Sequence, residues 1–345
     1  MNGRKVLIVG GGGYVGAELQ EHLLAEGFAV RVLDIFWYSD GLLDQSTRVS
    51  DRRVEYVKAD IRDEESLRSA LVGISDCIHL ACISNDPSYE LDPALSRSIN
   101  FDAFRTFLQV ANESELKRLI YASSSSVYGV KEEPNVTEDL ICEPRTDYSR
   151  FKVACEEMLF ADCRKDLEFS IIRPSTVCGV SRRQRFDLVV NILTINALSK
   201  GRIGVDGGDQ YRPNLHIKDM VKAYSVLLDA SGNKINREVF NVAGENLKVI
   251  EIAELVRESL SGQVEIEVLP VVDDRSYRVS GEKILQTLGF APQFTVSDAI
   301  RDIENAFAAG QFGDITDEKY FNLRTMKTLI GKGSLSANFS GNSTI

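Results

Sequence analysis

The stretch KVLIVGGGGYVG, Lys5 to Gly16, decides how the rest of the chain is read. Lys5 to Val9 is an apolar, β-branched run without polar alternation, as in a strand buried on both faces. Gly11, Gly13 and Gly16 satisfy G-x-G-x-x-G, and Gly10, Gly13 and Gly16 satisfy G-x-x-G-x-x-G. Either spacing alone is a weak signal. A strand before it and a helix after it give it meaning. From Tyr14 to Glu26 the apolar residues recur at helical spacing, and Gly27 stops them. Glycines let the chain turn sharply and bring backbone N–H groups to a pyrophosphate. The helix N-terminus adds the positive end of a dipole. Gly10, Gly13, Tyr14, Val15 and Gly16 are therefore candidate cofactor contacts. A second strand, 29–33, ends at Asp34. A carboxylate there accepts from a ribose 2′-hydroxyl and repels a 2′-phosphate, which favours NAD over NADP. Neither Ile35 nor Phe36 is basic. A plain turn residue is the alternative for Asp34.

Outward from this unit, strands are expected at 54–58, 76–80, 117–122 and 169–173, with helices at 63–72, 94–112 and 147–161. Strands alternating with helices imply right-handed βαβ units. The expected fold is α/β, a Rossmann doubly wound parallel sheet with a smaller C-terminal α/β substrate lobe. The rhythm breaks near residue 174. Residues 1–174 are read as the NAD-binding domain, and 175–330 mainly as the substrate lobe, with some segments returning to the sheet. Helices are expected there at 187–199, 218–229, 250–260, 281–288 and 296–309. Residues 331–345, GKGSLSANFSGNSTI, are small and polar and read as a disordered tail.

Composition bounds the partners. The 345 residues are 43% apolar and 26% charged, which suits a globular chain of one or two domains. Forty basic against 51 acidic residues leave a charge of −11, poor for binding nucleic acid, which runs on phosphate neutralisation. The three histidines, His22, His79 and His216, are far apart, and no HExxH occurs, so no metal site is expected. The six cysteines form no CxxC pair and read as reduced thiols of a cytoplasmic protein. No apolar run approaches the ~18 residues of a membrane span, and the start of the chain shows no signal-peptide pattern.

Proton chemistry centres on YSRFK, where Tyr148 and Lys152 share a helix face at i, i+4. A tyrosine of pKa about 10 is a poor base at neutral pH. A neighbouring ammonium and an oxidised nicotinamide would favour the phenolate. Such a pair also occurs on solvated helix faces. The serine run Ser123–Ser126, in YASSSSVYG, singles this one out. It follows a parallel strand, at the sheet end where ligands bind.

On these residues the chain resembles the extended short-chain dehydrogenases/reductases acting on nucleotide sugars. Further matches are KADIRD (58–63), HLAC (79–82), Asn100, RPSTVCG (173–179) and RPNLHIKDM (212–220). The resemblance covers about residues 4–310. It implies adenine contacts from Asp60 and Ile61, a cofactor-lining strand end at Leu80, Ala81 and Cys82, and support from Asn100. It implies a catalytic Ser124, Tyr148 as acid/base and Lys152 on the nicotinamide ribose. Ser124, Ser125, Arg185, Arg212 and Arg275 would meet a nucleotide-diphosphate sugar, the last two through its diphosphate. Arg182 and Arg183 are further candidates, and each of Arg182, Arg183 and Arg185 could equally be a solvated loop charge. Members of this family commonly form homodimers through two helices, here 94–112 and 147–161. Phe101, Phe104, Phe107 and Leu108 make an apolar stripe on the first, which could equally face the protomer's own sheet.

The resemblance also bears on the reaction. The first step is oxidation at carbon 4 of the sugar. Dehydratases resembling this chain carry an acid at the Ser126 position and an acidic or polar residue at the Ser125 position. Losing water needs a proton donor that neither serine supplies. A 4-epimerase is therefore expected. The alternative is a net 4-dehydrogenase or 4-ketoreductase, because segment 175–194 is more similar to capsule and lipopolysaccharide enzymes.

Overall fold

A computed structural model describes residues 4–38, 53–260, 264–270 and 276–337. Seven parallel strands form the main sheet: β1 (Lys5–Val9), β2 (Ala29–Asp34), β3 (Val54–Lys58), β4 (Asp76–His79), β5 (Arg118–Ala122), β6 (Glu168–Pro174) and β10 (Glu238–Val242). Their order is β10-β6-β5-β4-β1-β2-β3. The direction of winding reverses between β1 and β4, the crevice where such sheets bind ligands. Both faces are covered. Leu7, Val9, Cys77 and Leu119 pack one way with Phe104 and Phe107. Val6, Ile8, Ile78 and Ile120 pack the other way with Met220, Tyr224 and Leu227. Alternate residues of one strand feed both cores, so the strands read as unbroken apolar runs.

The smaller lobe holds a sheet of β7 (Thr176–Cys178), β9 (Tyr211–His216) and β11 (Asn246–Lys248). A strand pair, β8 (Arg202–Asp206) and β12 (Glu265–Leu269), lies beside it. The expected six-stranded sheet gains its seventh strand, β10, from this half of the chain. Asn241 interrupts the apolar pattern of β10, and it is fully buried because Tyr128 Oη donates to its Oδ1 at 2.7 Å.

Four helices bear on the site: α1 (Tyr14–Ala25), α2 (Ala103–Glu113), α3 (Asp147–Asp162) and α4 (Asn322–Gly331). The continuous helix expected over 94–112 is broken. Pro93–Arg97 is α-helical, Ser98–Asp102 widens into a π turn, and α2 follows. Phe104, Phe107 and Leu108 all face the protomer's own core, and only Phe101 sits at its rim. α4 was not expected. It crosses back to the main sheet, burying Met326. Residues 332–337, read as the start of a polar tail, continue that return. Leu335 is buried in the first core, and Arg62 donates to the Ser336 carbonyl at 2.7 Å. Leu335, Ala337 beside it and the captured carbonyl help hold this segment, which composition alone does not show. Residues 338–345 lie outside the described residues.

All six cysteines are free, four of them buried, with Cys82 and Cys142 half-buried. Among the described residues no helix is long and apolar enough to cross a membrane.

Candidate active site

The glycine turn leads β1 into α1. Gly10 has φ +84°, and a Cβ there would lie 2.5 Å from Ala81 Cα. A Cβ on Gly16 would lie 2.6 Å from Gly11 Cα. A side chain at either position would push the turn off the sheet. The N–H of Gly12 donates to Asp34 Oδ2 at 2.8 Å and that of Phe36 to Oδ1 at 2.6 Å. Burial pushes the Asp34 carboxyl up, against these N–H bonds and the charge of Arg183.

A cavity of about 420 Å³ runs along this edge of the sheet. Gly10, Gly13, Tyr14, Val15, Gly16, Asp34, Asp60, Ile61, Leu80, Ala81 and Cys82 all line it. So do Ser124, Ser125, Tyr148, Lys152, Arg185 and Arg212. Asn100 does not. Its side chain accepts from Ile83 N at 2.7 Å and donates to Ile83 O at 3.0 Å, fixing the loop that follows β4. The Asp60 carboxylate is held by Arg62 at 2.7 Å. Arg275 lies outside the described residues.

Ser124 caps the turn after β5 by accepting from Ser126 N at 3.2 Å. Its hydroxyl also lies 2.9 Å from that of Ser126. Tyr148 and Lys152 sit in the first turns of α3, whose N-terminus is fixed by a Thr146–Ser149 capping box. Desolvation pushes the Tyr148 phenol well above its usual range. Cys82 and Asp86 add to this, while hydrogen bonding to Ser124 and the charge of Arg185 oppose it. The Lys152 ammonium donates to the Ala122 carbonyl at 2.6 Å and lies 5.9 Å from the centre of the Tyr148 ring. Burial outweighs the protein's own cations at this phenol, so the phenolate needs further positive charge in the cavity.

Several cavity residues were not anticipated. Asp86 accepts from Thr146 Oγ1 at 2.6 Å. Tyr277 places its hydroxyl 3.4 Å from Ser125 Oγ. Ser84 and Asn322 line the cavity and are bonded to each other at 3.0 Å, although 238 positions apart. Beneath the serines lies a buried network. Ser123 donates to Glu156, which pairs with Arg173 at 2.5 Å, and Arg173 donates to Tyr128 Oη at 2.9 Å. Glu156 continues the four-residue spacing of Tyr148 and Lys152, a signal legible in the sequence.

His79, at the end of β4, is buried among Phe104, Phe107 and Tyr121, and neither ring nitrogen has a partner among the described residues. Burial brings it down to about 3 from 6.5. The folded state then holds the neutral ring while the unfolded chain takes a proton below pH 6.5. Stability from this residue is complete above that pH and falls by about 1.4 kcal/mol per unit as pH drops. Urea unfolding at pH 6.5 and 5.0 should show the wild type losing about 2 kcal/mol more than His79→Leu. Equal losses would refute the assignment.

The NAD dependent epimerase/dehydratase family model matches residues 6–243. The chain is 25% identical over 325 residues to a UDP-glucose 4-epimerase of Lacticaseibacillus casei, covering 88% of this chain and 95% of that one. Among solved structures, UDP-glucuronic acid 4-epimerase of Bacillus cereus superposes with a TM-score of 0.78 at 24% identity, covering 87% of this chain and 99% of that one. DesIV, a dTDP-glucose 4,6-dehydratase of Streptomyces venezuelae, gives 0.81 at 24% identity, covering 91% and 100%. The chain belongs to the NAD dependent epimerase/dehydratase family. It is an NAD-dependent enzyme, and the glycine turn, Asp34 and the cavity between them suit that cofactor.

Proposed function

We propose that this enzyme oxidises a nucleotide-diphosphate sugar at carbon 4 and that its net reaction is 4-epimerisation. The observation that carries this is one cavity lined by the glycine turn and Asp34 together with Ser124, Tyr148 and Lys152. When bound, NAD supplies reversible hydride acceptance. Tyr148 takes the proton of the 4-hydroxyl as phenolate and returns it on re-reduction. Ser124 hydrogen-bonds that oxygen and passes the bond to Tyr148. Lys152 adds the nearby positive charge that lowers the phenol. Arg212, on β9 at the cavity wall, holds the substrate diphosphate, and Arg275 is proposed to assist it.

Epimerisation is favoured over dehydration by the residues after Ser124. Ser125 faces the Tyr277 hydroxyl and Ser126 faces Ser124, so neither position offers a carboxylic acid to expel water. To test this, purified protein is denatured to look for released NAD. UDP-, dTDP-, GDP- and CDP-sugars are then incubated with native protein without added cofactor. A 4-epimer formed with no net change at 340 nm supports the reading. Stoichiometric NADH contradicts it and makes the enzyme a 4-dehydrogenase.

A further inference from the structure

Two guanidiniums reach the cavity from the loop after β7. Arg183 and Arg185 are only 4% and 7% exposed, so neither is a solvated loop charge. Arg185 Nε donates to Asp187 at 2.8 Å and Nη1 to Ser84 Oγ at 3.2 Å. Arg183 Nη2 donates to Asn322 Oδ1. Asp187 is their one ion-paired carboxylate among the described residues. Arg183 Nε and Arg185 Nη2 are buried without a partner there. Burial and the charge of Arg185 bring Arg183 down to about 10. Surplus buried positive charge with unused donors, on a cavity wall, is a seat for an anion.

The neighbours say which anion. Arg183 lies 4.3 Å over the Tyr38 ring, and its charge acts on Asp34, the ribose-reading carboxylate. The charge of Arg185 acts on Tyr14 in the glycine turn and on Tyr148 at the reacting end. The pair therefore spans the stretch between the two riboses of a dinucleotide. We infer that Arg183 and Arg185 form a second pyrophosphate clamp, closing on the cofactor from the substrate half of the chain and holding it between turnovers. The inference rests on the cavity being the dinucleotide site, and it moves Arg185 from the substrate to the cofactor.

The clamp is built into a fixed loop. Tyr14 Oη donates to the Gly179 carbonyl at 2.7 Å, Ser181 Oγ to the Tyr14 carbonyl at 2.8 Å, and Arg182 N to Glu18 at 2.8 Å. On its other side Phe186 N donates to the Tyr320 carbonyl at 2.9 Å, and Asn322 N to Asp187 at 3.0 Å. Releasing the cofactor through this loop would break bonds to both α1 and the C-terminal segment.

The chain's single tryptophan, Trp37, lines the same cavity and reports occupancy. Full-length protein loaded with NADH is chased with excess NAD, and loss of Trp-sensitised NADH emission gives the off-rate. Arg183→Gln and Arg185→Gln should each raise it at least about tenfold, since a charge-assisted bond is lost. Arg185→Lys, which keeps charge but not the fork, should fall between. Binding of UDP, GDP, dTDP and CDP, measured by calorimetry on the loaded protein, should be unchanged. Ser84→Ala, a milder change, should raise the off-rate by a smaller factor and covers the case of a glutamine variant that does not fold. Unchanged off-rates with weaker nucleoside diphosphate binding would give the arginines to the substrate. Unchanged values of both would overturn the clamp alone. Wild-type protein that binds no dinucleotide would overturn the cofactor site as well.

Discussion

Tyr148→Phe should lower turnover by about 10² to 10⁴-fold, the usual contribution of a positioned acid/base, while bound NAD content and the melting transition stay at wild-type values. The change removes one oxygen. The ring keeps its place on the cavity wall, and the capping box that fixes α3 is untouched. Burial already holds this phenol well above its usual range, so its use as a base depends on cations. Lys152→Met should therefore displace the acidic, ascending limb of the kcat/KM profile to higher pH as well as lower the rate. Rates read by chromatography of the product sugar nucleotide, across pH 6 to 10, check both variants. A Tyr148→Phe enzyme within threefold of wild type would remove Tyr148 from the chemistry.

The largest stability effect is expected at Glu156. Its carboxylate and the Arg173 guanidinium are both buried, 3% and 6% exposed. Glu156→Ala would strand that guanidinium, with Tyr128 Oη as its remaining partner, and would leave Ser123 without its acceptor. Breaking a buried pair from one side costs about 3–5 kcal/mol. Replacing both members, Glu156→Leu with Arg173→Met, should recover part of the loss, because the stranded charge is then gone. The network ties α3 to β6 and, through Tyr128 and Asn241, to β10. Turnover of Glu156→Ala should fall even below its unfolding temperature, because Lys152 lies one turn away on the same helix. Urea denaturation measures the stability, and a loss under 1 kcal/mol would mean that the pair is not doing what its burial implies.

What the chain's order of residues reveals follows from how local each signal is. The strand, glycine turn and helix of Lys5 to Ala25 are contiguous, so their pattern is read from one unbroken stretch. Asp34, Ser124 and the Tyr148–Lys152 pair come from three separate segments. They are still legible because a parallel sheet delivers strand ends and helix starts to one edge. β10 is not legible, since a buried Asn241 makes sense only once Tyr128 is known to face it. The clamp is hidden for the same reason. Arg183 and Arg185 lie in a run of arginines that reads as a surface loop. Only the return of α4, which sets Asn322 against Ser84, shows them to be buried. Leu335 in a polar tail is the extreme case, one apolar residue whose partners lie in another part of the chain.

The most direct test of the central claim uses a nucleotide sugar labelled with deuterium at carbon 4, taken from the panel above and incubated without added cofactor. The expected result is a 4-epimer that keeps the deuterium at carbon 4, with none appearing in solvent. A product that has lost the label from carbon 4, or no turnover of any sugar nucleotide in the panel, would contradict oxidation and re-reduction at that carbon by this enzyme.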